Sequence, residues 1–310
     1  MTSAGSPNLE TSRFWIPNNQ VLLCAGSLEL FRRQWTPTVV SSKAAVLLVH
    51  GFSWHSGYFN ELADTLTQQG YVVHAFDLQG HGRSHTLYGI RGYIDRFSDL
   101  IEDVQLAKQQ LAAQCKGLPL FIYGESMGAL LLLLYAAEQG AASDLSGMVL
   151  AAPVVKVAEA VLPPKHLLLF LRLLAKAFPR LQVPTTELQD TYLAAFGDQE
   201  LAKRSLQDPL VVFEGPTLRL LDETFAATDK LAADMRNIQV PLLIMHGLDD
   251  VRTDPANSRV LYDGIGSKTK ELKLYPHMKH QLLQETTQNK RQVMQDLIDW
   301  MEERISQAAG

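Results

Sequence analysis

Short apolar runs alternate along the chain with longer stretches whose apolar residues recur every three or four positions. Ala45–His50, Tyr71–Asp77, Leu118–Tyr123, Met148–Ala152, Pro241–His246 and Glu271–Tyr275 each read as a short strand. Between them, Asn60–Gln69, Phe97–Gln114, Met127–Gln139, the region around Pro255–Tyr262 and about Asn289–Ser306 read as helices. In Phe97–Gln114 the apolar positions are Leu100, Ile101, Val104, Leu106, Ala107 and Leu111, as a buried helical stripe requires. Strands broken by helices predict an α/β fold, a mostly parallel central sheet with helices on both faces. Ahead of them, Val21–Cys24 and Leu28–Trp35 flank Ala25-Gly26-Ser27 and predict an antiparallel edge hairpin.

From about Pro153 to Gln239 the alternation stops. Apolar helical stretches follow one another, punctuated by Pro163-Pro164, Pro179, Pro184, Pro209 and Pro216. The pattern predicts a core built from residues 1–152 and 240–310, with a helical insertion at 153–239. The chain carries no internal repeat and no low-complexity tract.

Composition narrows the class. With 310 residues, 46% apolar and 20% charged, the chain is globular in type, not fibrous or disordered. The 28 basic and 33 acidic residues leave a formal −5, so no bulk positive surface invites nucleic acid. Cys24 and Cys115 are too few for a disulfide framework or a cysteine-rich zinc site, which points to a reducing compartment. The start lacks a basic segment followed by an apolar run, so no secretory signal is expected. The longest clean apolar run, Met127–Ala137, is eleven residues, against about 20 for a spanning helix. A cytoplasmic protein is expected, in contact with a membrane or lipid droplet at its surface at most.

The chemistry concentrates in Gly124-Glu125-Ser126-Met127-Gly128. Here G-x-S-x-G follows a predicted strand and precedes a predicted helix, the context in which that pattern places a nucleophilic serine at the apex of a tight turn. Glycines two residues either side keep side chains from colliding with the neighbouring strand and helix. The helix start behind Ser126 offers free N–H groups where an oxyanion forms. A serine also needs a base and an orienting carboxylate, in the order Ser, Asp or Glu, His. Asp249 and Asp250 follow one predicted strand; His277 and His280 follow another. Spacing leaves both choices open. No Cys, His and Asp cluster has metal-ligand spacing, and no G-x-G-x-x-G follows a strand, so neither metal nor cofactor is expected.

LFRRQW, VHGFSWHSG, FDLQGHGRSHTLYG, YGESMG, APVV, VPLLIMHGLDDVRTDP and LYPHMKHQLLQE together resemble the monoacylglycerol lipase-like serine hydrolases of the α/β-hydrolase superfamily, whose plant members include caffeoylshikimate esterases. The resemblance implies Asp250 as the acid, His280 as the base, and His50-Gly51-Phe52 as an oxyanion loop. The backbone N–H groups of Phe52 and Met127 would then bind the oxyanion. His50 and His81 would position turns; His55 is either a group near the nucleophile or a simple loop residue. Where the animal enzymes carry a Glu, an Arg and a second His around the glycerol end, this sequence reads Trp54, Tyr58 and Leu283, implying a more aromatic substrate pocket that also includes His55.

Within the insertion, Lys165, Arg172 and Lys176 fall on one stripe of an otherwise apolar helix, Lys165–Phe178. Such a helix suits a cap over the pocket, with contact to a lipid surface as a compatible role. The expected activity is hydrolysis of a lipid-like or aromatic carboxylic ester, monoacylglycerol above all. Caffeoylshikimate-type esterase, lysophospholipase and acyltransferase are alternatives, and a non-catalytic receptor-like hydrolase is the alternative of another class.

Overall fold

The structure is a computed structural model, describing residues 20–23, 28–140, 143–156, 172–183 and 188–309. The turn of the predicted edge hairpin and the first half of the predicted cap helix, Lys165 and Leu168–Phe170 included, lie outside the described residues.

Eight strands form one sheet: β1 (Gln20–Leu23), β2 (Glu29–Trp35), β3 (Ala44–Val49), β4 (Tyr71–Phe76), β5 (Leu120–Glu125), β6 (Gly147–Ala151), β7 (Leu242–Gly247) and β8 (Lys270–Tyr275). They lie in the order β1-β2-β4-β3-β5-β6-β7-β8. Strand β2 runs antiparallel to both its neighbours, and every other pair is parallel. This is the α/β-hydrolase fold that the resemblance implied. Strands β3 to β7 are buried along their whole length, because helices cover both faces; hence their near-continuous apolar runs.

On one face pack α2 (Phe97–Gln114), α3 (Met127–Gln139) and α7 (Pro255–Gly264), through Leu100, Val104, Leu131 and Leu261 among others. On the other lie α1 (Asn60–Gln68) and α8 (Thr287–Ala309), through Leu62, Leu66, Val293 and Leu297. Helix α3 is buried from Met127 to Ala137, which explains the apolar run that the sequence places there. Several predicted ends move by one to three residues. Strand β5 extends through Gly124 and Glu125, which pair with Leu150 and Ala151 of β6, while α8 begins two residues earlier than the pattern suggested.

Between β6 and β7 the described chain forms helices at residues 172–177, α4 (Leu188–Ala194), α5 (Gln199–Ser205) and α6 (Leu218–Asp234). Helix α6 packs into the cluster of α2 and α3 through Leu220, Ala227 and Leu231. Tyr192, Ala195, Phe196, Ala202 and Val211 instead form a separate cluster with Trp54. Arg172 does not project freely: its Nε lies 2.8 Å from Asp222 Oδ1 on α6. Three contacts latch residues 208–212 to loops of the core. Val212 N–H donates to Ser53 O at 2.9 Å, His55 Nε2 lies 3.0 Å from Asp208 Oδ2, and the Arg91 guanidinium donates to the carbonyls of Pro209 and Leu210.

Candidate active site

Ser126 sits between β5 and α3 with φ 53° and ψ −117°, a backbone region that L-residues avoid and that surrounding structure must impose. Its N–H donates to Ala151 O at 2.9 Å. The flanking glycines are required by contact. A Cβ on Gly124 would stand 2.7 Å from Leu132 Cδ1, and one on Gly128 would stand 2.5 Å from Val49 O. Both sit below any normal Cβ approach, which is the collision anticipated from the motif.

The loops after β7 and β8 bring Asp250 and His280 to this turn. His280 Nε2 lies 3.0 Å from Ser126 Oγ, and His280 Nδ1 lies 2.7 Å from Asp250 Oδ2. A carboxylate only accepts, so the proton belongs on Nδ1 and leaves Nε2 free to accept from the serine hydroxyl. Burial pulls the imidazole below its ordinary value, outweighing the nearby Asp250, and so favours the neutral ring. The competing pair goes elsewhere: His277 Nδ1 and Asp249 Oδ2 face each other at 3.7 Å with side chains 91% and 55% exposed.

Asp250 is held by more donors than the sequence suggested. Its Oδ1 accepts from the N–H groups of Arg252 at 2.7 Å and Thr253 at 3.1 Å. Its Oδ2 accepts from Thr253 Oγ1 at 2.7 Å and faces His246 Nε2 at 2.9 Å, beside His280. Burial pushes this carboxyl up, but the hydrogen bonds from His246 and His280 outweigh it and hold it well below the usual carboxylate range. His246 Nδ1 in turn lies 2.6 Å from Ser258 Oγ on α7. Sequence reasoning passed over His246, Thr253 and Ser258. The turn bonds from Asp250 to the second and third N–H groups beyond it were legible as a local Asp-x-x-Thr pattern. The His246 contact was not, since it needs the strand end and the loop in register.

The loop after β3 brings Gly51 and Phe52 against Ser126. A Cβ on Gly51 would lie 3.0 Å from Ser126 Cβ. Phe52 lines the pocket above Ser126, and Met127 opens α3, where the first N–H groups have no intrahelical acceptor. Glu125, next to the serine, is buried, and its carboxyl is pushed up to about 8 by burial, although the Gly51 N–H donates to it. His50 is locked between Leu78 N–H, which donates to Nε2 at 2.9 Å, and Gly51 O at 2.7 Å from Nδ1. His81 Nδ1 lies 2.9 Å from Gln79 O. Both histidines thus hold loops.

Phe52, Trp54, Ser126, Tyr192, Ala195, Arg252, His280 and Gln281 line a cavity of about 30 Å³, room for a water or two. Trp54 packs on Tyr58, Tyr192 and Phe196 with ring centroids 4.5, 4.9 and 5.2 Å away. Tyr58 stands behind Trp54, outside the lining. His55 caps the turn at Ser56–Phe59, accepting from Gly57 N–H through Nδ1, and spends Nε2 on Asp208. Leu283 is buried with Met278 and Leu282 against α8. Among the described residues no group of His, Cys, Asp and Glu is arranged to hold a metal ion, and no helix is long and apolar enough to cross a membrane.

Residues 40–287 match the family described as serine aminopeptidase, S33. The caffeoylshikimate esterase of Arabidopsis thaliana is 29% identical, covering 98% of this chain and 88% of that protein. The monoglyceride lipase of Homo sapiens is 29% identical, covering 93% and 91%. A soluble variant of the Saccharomyces cerevisiae monoglyceride lipase, solved with a substrate analogue, superposes with a TM-score of 0.81 at 25% identity, over 97% of this chain and 99% of that one.

Proposed function

From the premise that the chain belongs to the serine aminopeptidase, S33 family, and is a monoacylglycerol lipase-like serine hydrolase of carboxylic esters, we propose that it cleaves the ester of monoacylglycerols with a Ser126–His280–Asp250 triad. The observation that carries this reading is the pair of distances around His280, 3.0 Å to Ser126 Oγ and 2.7 Å to Asp250 Oδ2. His280 Nε2 takes the Ser126 proton as Oγ attacks the acyl carbon. The N–H groups of Phe52 and Met127 hold the oxyanion, each worth about 10²–10³ in rate. His280 returns the proton to the leaving alcohol, and water then releases the acyl group by the same route. Asp250 stays ionised and stabilises the imidazolium.

Residues 153–239 act in this reading as the cap over the pocket, and Trp54 forms its aromatic wall. The exposed apolar side chains of Leu173, Phe178 and Leu181 suit contact with the lipid surface where such substrates reside, reached from the cytoplasm. A second reading, hydrolysis of hydroxycinnamoyl esters, is favoured by the Phe52, Trp54 and Tyr192 lining. A panel of 1-monoacylglycerols and hydroxycinnamoyl esters, run with organophosphonate labelling mapped by mass spectrometry, tests both. The proposal expects one adduct per chain, on Ser126, and faster turnover of the acylglycerols.

A further inference from the structure

Among the residues lining the cavity, Arg252 alone carries a permanent positive charge. Its backbone is pinned by the 2.7 Å bond from its N–H to Asp250 Oδ1, so the side chain starts two residues from the catalytic carboxylate. The guanidinium carbon lies over the Tyr192 ring, 6.0 Å from its centroid. Three other arginines are matched with acids, Arg172 with Asp222, Arg219 with Asp95 and Arg96 with Asp99; none of the three lines the cavity. Arg252 forms no ion pair with any described residue and remains exposed at the pocket mouth.

A second polar group in the same wall lacks a partner. Tyr192 is 3% exposed, and its hydroxyl faces Ser53 without a well-formed hydrogen bond. Leaving a buried hydroxyl unsatisfied is unfavourable unless a ligand or water completes it. Around the Tyr192 hydroxyl the wall is aromatic, a setting in which a charge-assisted hydrogen bond strengthens, while Arg252 reaches solvent.

We propose that Arg252, with the Tyr192 hydroxyl, extends the reaction beyond neutral monoacylglycerols to esters that carry an anionic oxygen group, carboxylate or phosphate, beside the scissile bond. The proposal rests on the reading of Ser126 as the nucleophile and adds the charge of the substrate. The guanidinium fork fits either group in a bidentate manner. An unneutralised cation here also opposes His280 each time it takes a proton, since Arg252 lowers the affinity of that imidazole for protons. A bound anion removes the opposition when the imidazolium forms, so the preference falls partly in kcat and not in KM alone.

The test compares three esters with one medium-length acyl chain: the glycerol ester, the glyceric acid ester and the glycerol 3-phosphate ester. They are assayed below their critical micelle concentrations on the full chain. The wild type is expected to hydrolyse at least one anionic ester about tenfold or more faster than the neutral one by kcat/KM, and the faster of the two identifies carboxylate or phosphate. In Arg252→Gln the ratio of anionic to neutral rates should fall to near one, in Arg252→Glu below one, and in Arg252→Lys to an intermediate value. A wild type without charge preference, or a ratio that Arg252→Gln leaves unchanged, overturns the role of Arg252 while the hydrolase reading stands. No turnover of any ester together with no phosphonate adduct on Ser126 overturns both.

Discussion

His246 Nε2 lies 2.9 Å from Asp250 Oδ2, the same oxygen that faces His280. The Asp250 carboxylate is thus clamped between two imidazoles, and that of His246 is braced by Ser258 at 2.6 Å. A buried carboxylate with both oxygens saturated has little freedom to rotate, so the line from Asp250 through His280 to Ser126 is set before substrate arrives.

His246→Leu is therefore expected to lower kcat by about 10–100-fold, the worth of one hydrogen bond to a charged group, with little change in KM. His246→Gln, which keeps a donor, should recover part of it. Steady-state kinetics on one short-chain ester check both, and a His246→Leu enzyme at wild-type kcat would show the clamp to be idle.

The two acid and base candidates next to each other in sequence should part cleanly. Asp250→Asn is expected to lose about 10⁴ in turnover through the wrong tautomer, and Ser126→Ala and His280→Ala at least as much. Asp249→Asn and His277→Ala change an exposed pair 3.7 Å apart, for which an effect within about 0.5 kcal/mol is normal. A chromogenic ester assay on the five purified variants decides.

Glu125 should give the stability a pH dependence of unusual sign. Its folded value of about 8 lies above the 4.5 of an ordinary glutamate, so the folded state binds the proton more tightly. The stabilisation is complete below the unfolded value, declines as the pH climbs from there, and is lost above about 8. Urea unfolding midpoints at pH 5 and pH 9 should differ more in the wild type than in Glu125→Gln. Equal pH differences in the two proteins would count against a neutral buried carboxyl.

Gly51→Ala places a methyl 3.0 Å from Ser126 Cβ and 3.2 Å from Glu125 O. The loop must withdraw, taking the Phe52 N–H with it. Turnover should fall by about 10²-fold, as on losing one oxyanion donor, with the melting temperature much less affected. A variant that keeps full activity would put the oxyanion elsewhere.

What could be read in advance follows from how local each signal is. Strands β3 to β7 announce themselves because both their faces are covered, leaving nothing polar to blur the runs. Ser126 is equally legible, since strand, turn and helix are contiguous. The choice of Asp250 over Asp249 depended on which carboxylate turns inward, and family resemblance made it where spacing could not. His246 and Arg252 carried no local signature at all. One meets Asp250 through a contact made at a strand end, and the other lines a cavity together with Tyr192, sixty residues away in sequence. Helix α6 also hid its allegiance, lying within the insertion by sequence and against α2 and α3 by packing.

The latch joining residues 208–212 to Ser53, His55 and Arg91 makes that stretch and the loop after β3 one mechanical unit. Anyone grafting the insertion of a relative onto this core, to exchange one acyl preference for another, would leave the Ser53 carbonyl and the His55 imidazole facing strangers, one residue and three residues from Phe52. Successful chimaeras should be those that exchange the stretch from Gly51 to Tyr58 together with residues 208–212, so that the donor protein brings its own hinge with its own lock.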